Sequence, residues 1–571
     1  MTTIPPAPLI DTSHTPWSAY GHQLAVVHHP TQHQLVIHSC RHQFGKDRMW
    51  VLAIERAGQA LPFTVAATPW QLNVTVTGGG AVRLALERDT GLLVEADGVD
   101  LLWRLDPHFG YGCHEGEGKA KIISSQGHNY HALDTGIGNM DLLGPEERHD
   151  TGHVRQRGSD VRVRAVSEQI VMRLDISELE QDPRRRLPAV GELEATALRR
   201  QSEWQRFAAS RPAVPAGHGP QADLAWYTLW SCFARAEGTF ASDAALGAKV
   251  YMCGVWSWDH CFYALALASS HPALALDQYL LPFHLQAANG ALPDMFAPNT
   301  STIWGVTKVP IHGWCFAKLM DRITFPRLVL EQARDQLARW TEWYRVYRDR
   351  DQDGVVEVAM GCDDQDNGSA FLGAYFVESP DVTAYLALQE DTLARICDRL
   401  GRTAEASQWR ADCAARVQAL VRHCWDGECF YHSADPDHTR VPDHFGNTTI
   451  MPLVLGSLLP PDVFAATAAR LEREFLGVYG VASEAFRSPH YRDDGYWLGS
   501  VWAPLQLLLV DGLLRGGRAD LARTISGRYL DGLKQAGGMW EVIDAKTGAG
   551  QRCGGFAWTA AVALELMPIV G

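Results

Sequence analysis

Over roughly the first 180 residues, hydrophobic and polar positions alternate in short runs such as HQLVIHS, WQLNVTVTG, AVRLALE, GLLVEAD and VRVRAVS, separated by Gly, Asp and Pro. A period of two turns alternate side chains to opposite faces, so each run predicts a strand with one buried face. Many such strands in series predict an N-terminal β-sandwich over residues 1–182. RRRLPAVGELEATALRRQSEWQRFAAS then reads as a charged helix. The Pro/Gly-rich RPAVPAGHGP, Arg211 to Pro220, ends it, which makes 183–220 a linker.

From Gln221 the period lengthens to that of a helix. About twelve amphipathic or apolar segments follow, among them DLAWYTLWSCFARA, WDHCFYALALA, PRLVLEQARDQLARWTEWYRVY, TTIMPLVLGSL, WAPLQLLLVDGLLRG and FAWTAAVALELM, with hardly a strand between them. Six helical hairpins closing on themselves give an (α/α)6 toroid over 221–571, although an α-solenoid meets the same count. The predicted fold class is therefore multidomain β plus α, a β-sandwich followed by the toroid.

Composition narrows the function. The 571 residues carry a formal net charge of −15, with 46% hydrophobic and 20% charged residues. No Lys/Arg stripe is available to neutralise phosphates, which argues against nucleic acid and leaves a neutral or weakly acidic small molecule as the expected partner. The first residues, MTTIPPAPLIDTSHTPW, have neither a basic region nor an apolar core of a leader, and no long apolar run suits a membrane. The twelve cysteines are scattered singly and read as reduced core thiols. Together these predict a cytoplasmic enzyme.

The chemistry is concentrated in loops. GCDDQDNGSAF, Gly361 to Phe371, packs Asp363, Asp364 and Asp366 among Gly and Asn, and GGMWEVIDAKTG sets a lone Glu541 after a Trp. Two separated acids suit glycoside cleavage, in which one carboxylic acid protonates the leaving oxygen and a second carboxylate activates water or attacks carbon. The other inter-helix loops mix aromatic and polar residues, as a sugar site requires: Trp stacks on the C–H face of a pyranose while carboxylates and amides bond its hydroxyls.

These blocks carry a family resemblance. WSWDHCF (Trp256 to Phe262), LQAANGALPD, VPIHG, YWLGSVW (Tyr496 to Trp502) and MWEVIDAKTGAG followed by FAWTAA resemble, in order, the signature blocks of clan G glycoside hydrolases. That clan includes family 63 α-glucosidases, the mannosylglycerate and glucosylglycerate hydrolases and, more distantly, trehalases. The resemblance covers nearly all of residues 221–571. It implies an inverting, exo-acting hydrolase of α-glycosides with an Asp acid and a Glu base and no catalytic cofactor. Glu541 matches the base. Asp366, followed by Asn367, best matches the acid of a G-x-D-S-G-x-D-N loop. This chain departs from that pattern, with one residue fewer and Gln365 near the expected Gly, so Asp363 and Asp364 stay open. By the same matching Trp256, Trp258, Asp259, Gln286, Trp497 and Trp502 are sugar contacts, and His312 is structural.

Just upstream, DRDQDG sets Asp349, Asp351 and Asp353 at alternate positions before Gly354, like the first half of a calcium loop, but Met360 stands where an EF-hand needs a bidentate Glu. The expectation is a structural Ca2+ completed by a distant carboxylate. Two other functions are weighed. An (α/α)6 epimerase or polysaccharide lyase would recruit His260 or His312 for proton transfer, and a carbohydrate-binding protein would keep the aromatics without using the acids. Lys308 is the candidate for meeting a carboxylate on the aglycone.

Overall fold

The computed structural model describes residues 7–40, 48–105, 110–116, 118–124, 130–143, 146–148, 154–157, 160–177, 186–298, 302–359, 365–372, 374–434, 438–442 and 445–571. Two compact units emerge. One comprises Met1–Arg211, Trp226–Arg235 and Leu246–Cys253, the other Pro212–Ala225, Ala236–Ala245 and Gly254–Gly571.

The N-terminal unit holds two antiparallel sheets. The smaller runs Leu24–His29, Gln34–Ser39, Arg48–Arg56, Asp100–Leu105, Asp160–Arg164 and Asn139–Leu143, with Gln59–Ala60 beside its third strand. The larger has ten strands from Glu146–Arg148 at one edge to Phe63–Thr68 at the other, and its centre is Tyr130–Ile137, Gln169–Ser177, Gly91–Asp97 and Ala81–Glu87. Alternation does what the pattern predicts: along Gln71–Val76 every second residue is buried. The buried Trp50 of the first sheet meets Trp103 edge-on and donates its indole N–H to His131 Nδ1 of the second sheet at 3.1 Å. The helix expected within the linker forms as α1, Glu192–Ala208, and it packs Leu193 and Ala197 on Ala85 and Leu93 of the larger sheet.

After α2, Gly219–Ser231, the helical unit contains α3 (Asp259–Leu267), α4 (Pro272–Leu280), α5 (His312–Arg322), α6 (Arg327–Tyr347), α7 (Pro380–Leu400), α8 (Thr403–Cys424), α9 (Pro461–Arg470), α10 (Ala503–Arg515), α11 (Ala519–Ala536) and α12 (Ala557–Val570). Helix α3 packs on α5, α5 on α7, α7 on the segment Met451–Leu458, that segment on α10, α10 on α12, and α12 back on α3. Among these, α3 and α10 are buried nearly all round, which explains why their sequences are apolar on every face rather than striped.

Two expectations need correction. TTIMPLVLGSL is not an α-helix but two 3-10 segments, Asn447–Thr449 and Met451–Leu458. Pro452 withholds a backbone donor, and Gly456 adopts φ 56°, where a side chain would press on α10. The loops are also not free of strands. Val255–Trp256 pairs with Met295–Phe296, and Val501–Trp502 pairs with Trp540–Ile543, which pairs in turn with Gly550–Gly554. These ladders fix the loop ends that carry the predicted chemistry.

Candidate active site

Glu541 is held by the last of these ladders. Helix α11 stops at Gly537, whose left-handed φ of 69° turns the chain into Trp540–Ile543. Trp540 pairs with Gly554 while Val542 pairs with Gln551, so the register slips around Glu541. Such a bulge re-aims a side chain away from the regular pleat. Arg552, opposite the slip, has a strained φ of 66°. The Glu541 side chain is only 2% exposed and accepts the Tyr496 hydroxyl at Oε1, 3.0 Å. Burial pushes its carboxyl up to about 7, against the lowering effect of Tyr496, the Cys553 N–H and Arg552, while the nearby Asp366 pushes it further up.

Asp366 lies on a loop fastened from three sides. Asn367 accepts the Trp497 N–H and donates to the Gly495 carbonyl, both at 3.0 Å. Gln365 bonds Asn447, and Ser369 donates to Glu484 at 2.8 Å. Glu484 is itself wholly buried and raised to about 7, chiefly by desolvation, although Ser488, Ser369 and Arg470 lower it. The Asp366 side chain reaches solvent, yet crowding by the surrounding protein raises its carboxyl above the ordinary value, against Lys308 and a hydrogen bond with Tyr496. Asp363 and Asp364 lie outside the described residues.

A third carboxyl, Asp259, opens α3 and is 2% exposed. Its pKa is pushed far up, first by desolvation and also by Asp294 and Glu541, while Lys308 and Tyr263 oppose the rise. Tyr263 touches its Oδ2 at 3.4 Å, whereas Oδ1 is buried without a hydrogen-bond partner among the described residues. Such an orphan acceptor is costly unless something else bonds it. Lys308 stands 3.3 Å from Asp294. It is therefore engaged by the acidic cluster.

The aromatic candidates divide. Trp497 and Trp502 stack at 3.7 Å, Trp502 meets Trp558 at 5.6 Å, and Trp558 meets Trp258 at 5.8 Å. Trp502 is 1% exposed and donates its indole N–H to the Tyr496 carbonyl at 3.1 Å. Trp256 is buried in the short ladder with Met295. Gln286 is not brought to the cluster: its amide donates to Gly290 and Gln336 and accepts from Arg339. His312 bonds the Ser257 carbonyl, and burial pushes its pKa down to about 4 and that of His260 to about 3. Neutral, buried imidazoles of this kind are poor proton carriers for an epimerase or lyase.

The acidic turn upstream resolves differently from its prediction. Asp351 and Asp353 gather with Glu378 and His438, with one possible ligand atom from each lying within 4.8 Å of the others. Asp349 is not in this group; its Oδ1 faces the Gly354 N–H at 3.4 Å. Glu378, the distant carboxylate, comes from the strand Phe376–Glu378. A separate groove of about 850 Å3 lined by Cys413, Val417 and Leu458 contains none of the carboxyls described above.

Four participants escaped the sequence reading: Tyr496, Asp294, Glu484 and Arg552. Tyr496 and Asp294 lie inside blocks already singled out, one residue before Trp497 and at the end of LQAANGALPD. For Glu484 and Arg552 the sequence held no comparable signal.

Residues 252–559 match the family described as the mannosylglycerate hydrolase MGH1-like glycoside hydrolase domain. The periplasmic trehalase of Salmonella newport (strain SL254) is 29% identical over 202 residues, which is 33% of this chain and 35% of that protein. The chain thus spans about a third of the length of the curated relatives it matches. Among solved structures, the GH63 mannosylglycerate hydrolase from Thermus thermophilus in complex with glucose aligns with a TM-score of 0.52, covering 60% of this chain and 98% of that one at 19% identity. A bacterial glucoamylase complexed with acarbose aligns with a TM-score of 0.60, covering 99% of this chain and 96% of that one at 10% identity. At these identities the likeness is one of fold: N-terminal β-sheets followed by a helical domain.

Proposed function

Because this chain belongs to the mannosylglycerate hydrolase MGH1-like glycoside hydrolase family, we propose that it is an inverting, exo-acting glycoside hydrolase. It removes a terminal α-linked glucose, or a closely related sugar, from a small glycoside or oligosaccharide. The observation that carries this reading is the buried Glu541 carboxyl, aimed by the Tyr496 hydroxyl at 3.0 Å and near enough to Asp366 to be pushed up by its charge. Asp366, with its elevated pKa, protonates the glycosidic oxygen; Glu541, once ionised, draws a proton from the attacking water. Asp259 offers its unpartnered Oδ1 to hydroxyls of the terminal sugar, and Trp258 and Trp497 supply apolar surface. The cyclic packing order of α3, α5, α7, Met451–Leu458, α10 and α12 supports an (α/α)6 toroid whose loops carry this site.

The names of the relatives, a trehalase and a mannosylglycerate hydrolase, support a small glycoside as substrate. A cytoplasmic setting, expected from the singly scattered cysteines of the sequence, belongs to the same proposal. A structural Ca2+ would use Asp351, Asp353 and Glu378; the His438 imidazole is a poor donor for so hard a cation, and no catalytic step involves this site. The test is hydrolysis of a panel of α-glucobioses, p-nitrophenyl glycosides and glucosylglycerate, with free sugar as the readout. Release by wild type and its loss in Asp366→Asn and Glu541→Gln are expected. Sugar binding without release by wild type would instead favour a binding protein.

A further inference from the structure

Glu484 is fully buried, and each of its oxygens accepts a serine hydroxyl: Ser369 donates to Oε2 at 2.8 Å and Ser488 to Oε1 at 2.6 Å. Desolvation raises the carboxyl to about 7, so above neutral pH its burial costs stability, where a well-packed apolar side chain would not. Such a cost points to a task other than stability.

The bonds around Glu484 join two loops. Ser369 opens the short 3-10 turn Ser369–Phe371, three residues after Asp366. Gly446 closes over the bond between Ser369 and Glu484: a Cβ at that glycine would lie 3.5 Å from Ser369 Oγ and 3.7 Å from Glu484 Oε2. Gly446 and Glu484 form an antiparallel bridge, with the Asn447 N–H on the Ser483 carbonyl and the Ala485 N–H on the Phe445 carbonyl, each at 2.8 Å. The Asn447 side chain in turn accepts from Gln365, the residue before Asp366. Ser483, the residue before Glu484, serves the other loop. Its Oγ donates to the Tyr496 carbonyl at 3.1 Å and accepts the Gly499 N–H at 3.0 Å, and its own N–H donates to the Ser500 carbonyl at 3.1 Å. Tyr496 then aims its hydroxyl at Glu541 Oε1, 3.0 Å away. Two adjacent residues thus fasten the loop of Asp366 and the turn that orients Glu541.

We propose that Glu484 is a positioning residue, a strut that acts through Ser369 to hold the acid loop at a set distance from the Tyr496 turn and so from the base. The inference rests on the assignment of Asp366 as acid and Glu541 as base. An inverting pair must leave room for one water between its carboxyls, and a displacement of about 1 Å can cost about 100-fold in rate. Asn367 completes the frame, accepting the Trp497 N–H and donating to the Gly495 carbonyl, so the Trp497 N–H registers any slackening of the acid loop.

Ser369→Ala removes the strut's grip on the acid loop. Glu484→Gln keeps it, because a serine hydroxyl can donate to the amide oxygen or accept from the amide N–H. Ser369→Ala should lower kcat by about 10- to 100-fold with KM little changed and leave both limbs of the pH profile in place. It should also speed hydrogen exchange at the Trp497 N–H by about 10-fold, the effect of losing one buried hydrogen bond. Glu484→Gln should recover most of the lost rate and melt no lower than wild type at pH 8. A Glu484→Gln variant as slow as Ser369→Ala would mean that the charge acts rather than the bond, and a Ser369→Ala variant with wild-type kcat and exchange would mean that the pair only packs; either result overturns the proposal. If wild type hydrolyses nothing, the proposed function falls, while exchange at the Trp497 N–H in the two variants still decides whether Glu484 is the strut.

Discussion

Arg173 in the N-terminal sheets and Asp259 at the head of α3 are both charged residues withdrawn from water, and their surroundings are opposite. Arg173 bonds Glu87 at 2.6 Å, Glu192 at 3.1 Å and the Arg186 carbonyl at 2.9 Å. In the same unit the fully buried Lys249 is capped by the carbonyls of Ala19, His22 and Phe233. Asp259, by contrast, has a buried oxygen with no partner among the described residues, and Glu541 and Asp366 lie close enough to oppose one another's ionisation. Arg173 and Lys249 have their partners, so they hold structure. The carboxyls of the helical unit lack part of theirs, which is how acids with altered proton affinity arise.

The comparison breaks most sharply under substitution. Glu541→Gln and Asp366→Asn should each lower kcat by about 10^3-fold without lowering the melting temperature, measured by steady-state kinetics and calorimetry on the same samples. If both lose stability as well, the cluster is structural and the contrast fails. Arg173→Met should do the reverse. It should cost about 3–5 kcal/mol of stability, as expected when one member of a buried ion network is removed, with kcat unchanged.

The pH dependence follows from the direction of the shifts. Glu541 and Glu484 both rise from 4.5 to about 7 in the folded protein. Between those values the folded state binds more protons than the unfolded one, so stability falls as pH rises through that window and levels off above it. Glu541→Gln should therefore gain stability over wild type at pH 8, by up to about 3 kcal/mol, and little at pH 4. Denaturant melts at the two pH values would check this, and an equal gain at both would contradict it. The smallest effect belongs to the acidic turn. EDTA should leave hydrolysis unchanged and lower the melting temperature by no more than about 2–4 °C.

Most of the architecture was legible in the pattern of apolar residues because one interaction, burial of a face, sets the period of each segment. The exceptions have local causes. Pro452 and Gly456 override an apolar run that is otherwise helical, and the strand bearing Glu541 is too short for its alternation to register. The candidate site was legible where blocks preserved spacing, as for Asp259 and Glu541, and less so at Asp366, whose loop is one residue short of its pattern. Gln286 shows the limit of block matching, because its amide donates to the backbone carbonyls of Gly290 and Gln336, contacts no sequence pattern records. Tyr496 was missed because its importance comes from a contact distant in sequence, to a residue 45 positions away. No local pattern records a hydroxyl aimed at a carboxyl so far along the chain.

The most direct test of the central claim, that Asp366 and Glu541 act as separate acid and base on an α-glycoside, is proton NMR of the anomeric region in the first minutes of digestion. The account predicts that wild type releases the β-anomer first, followed by slow mutarotation. Initial release of the α-anomer would contradict it, because retention requires a carboxylate acting as nucleophile rather than as base.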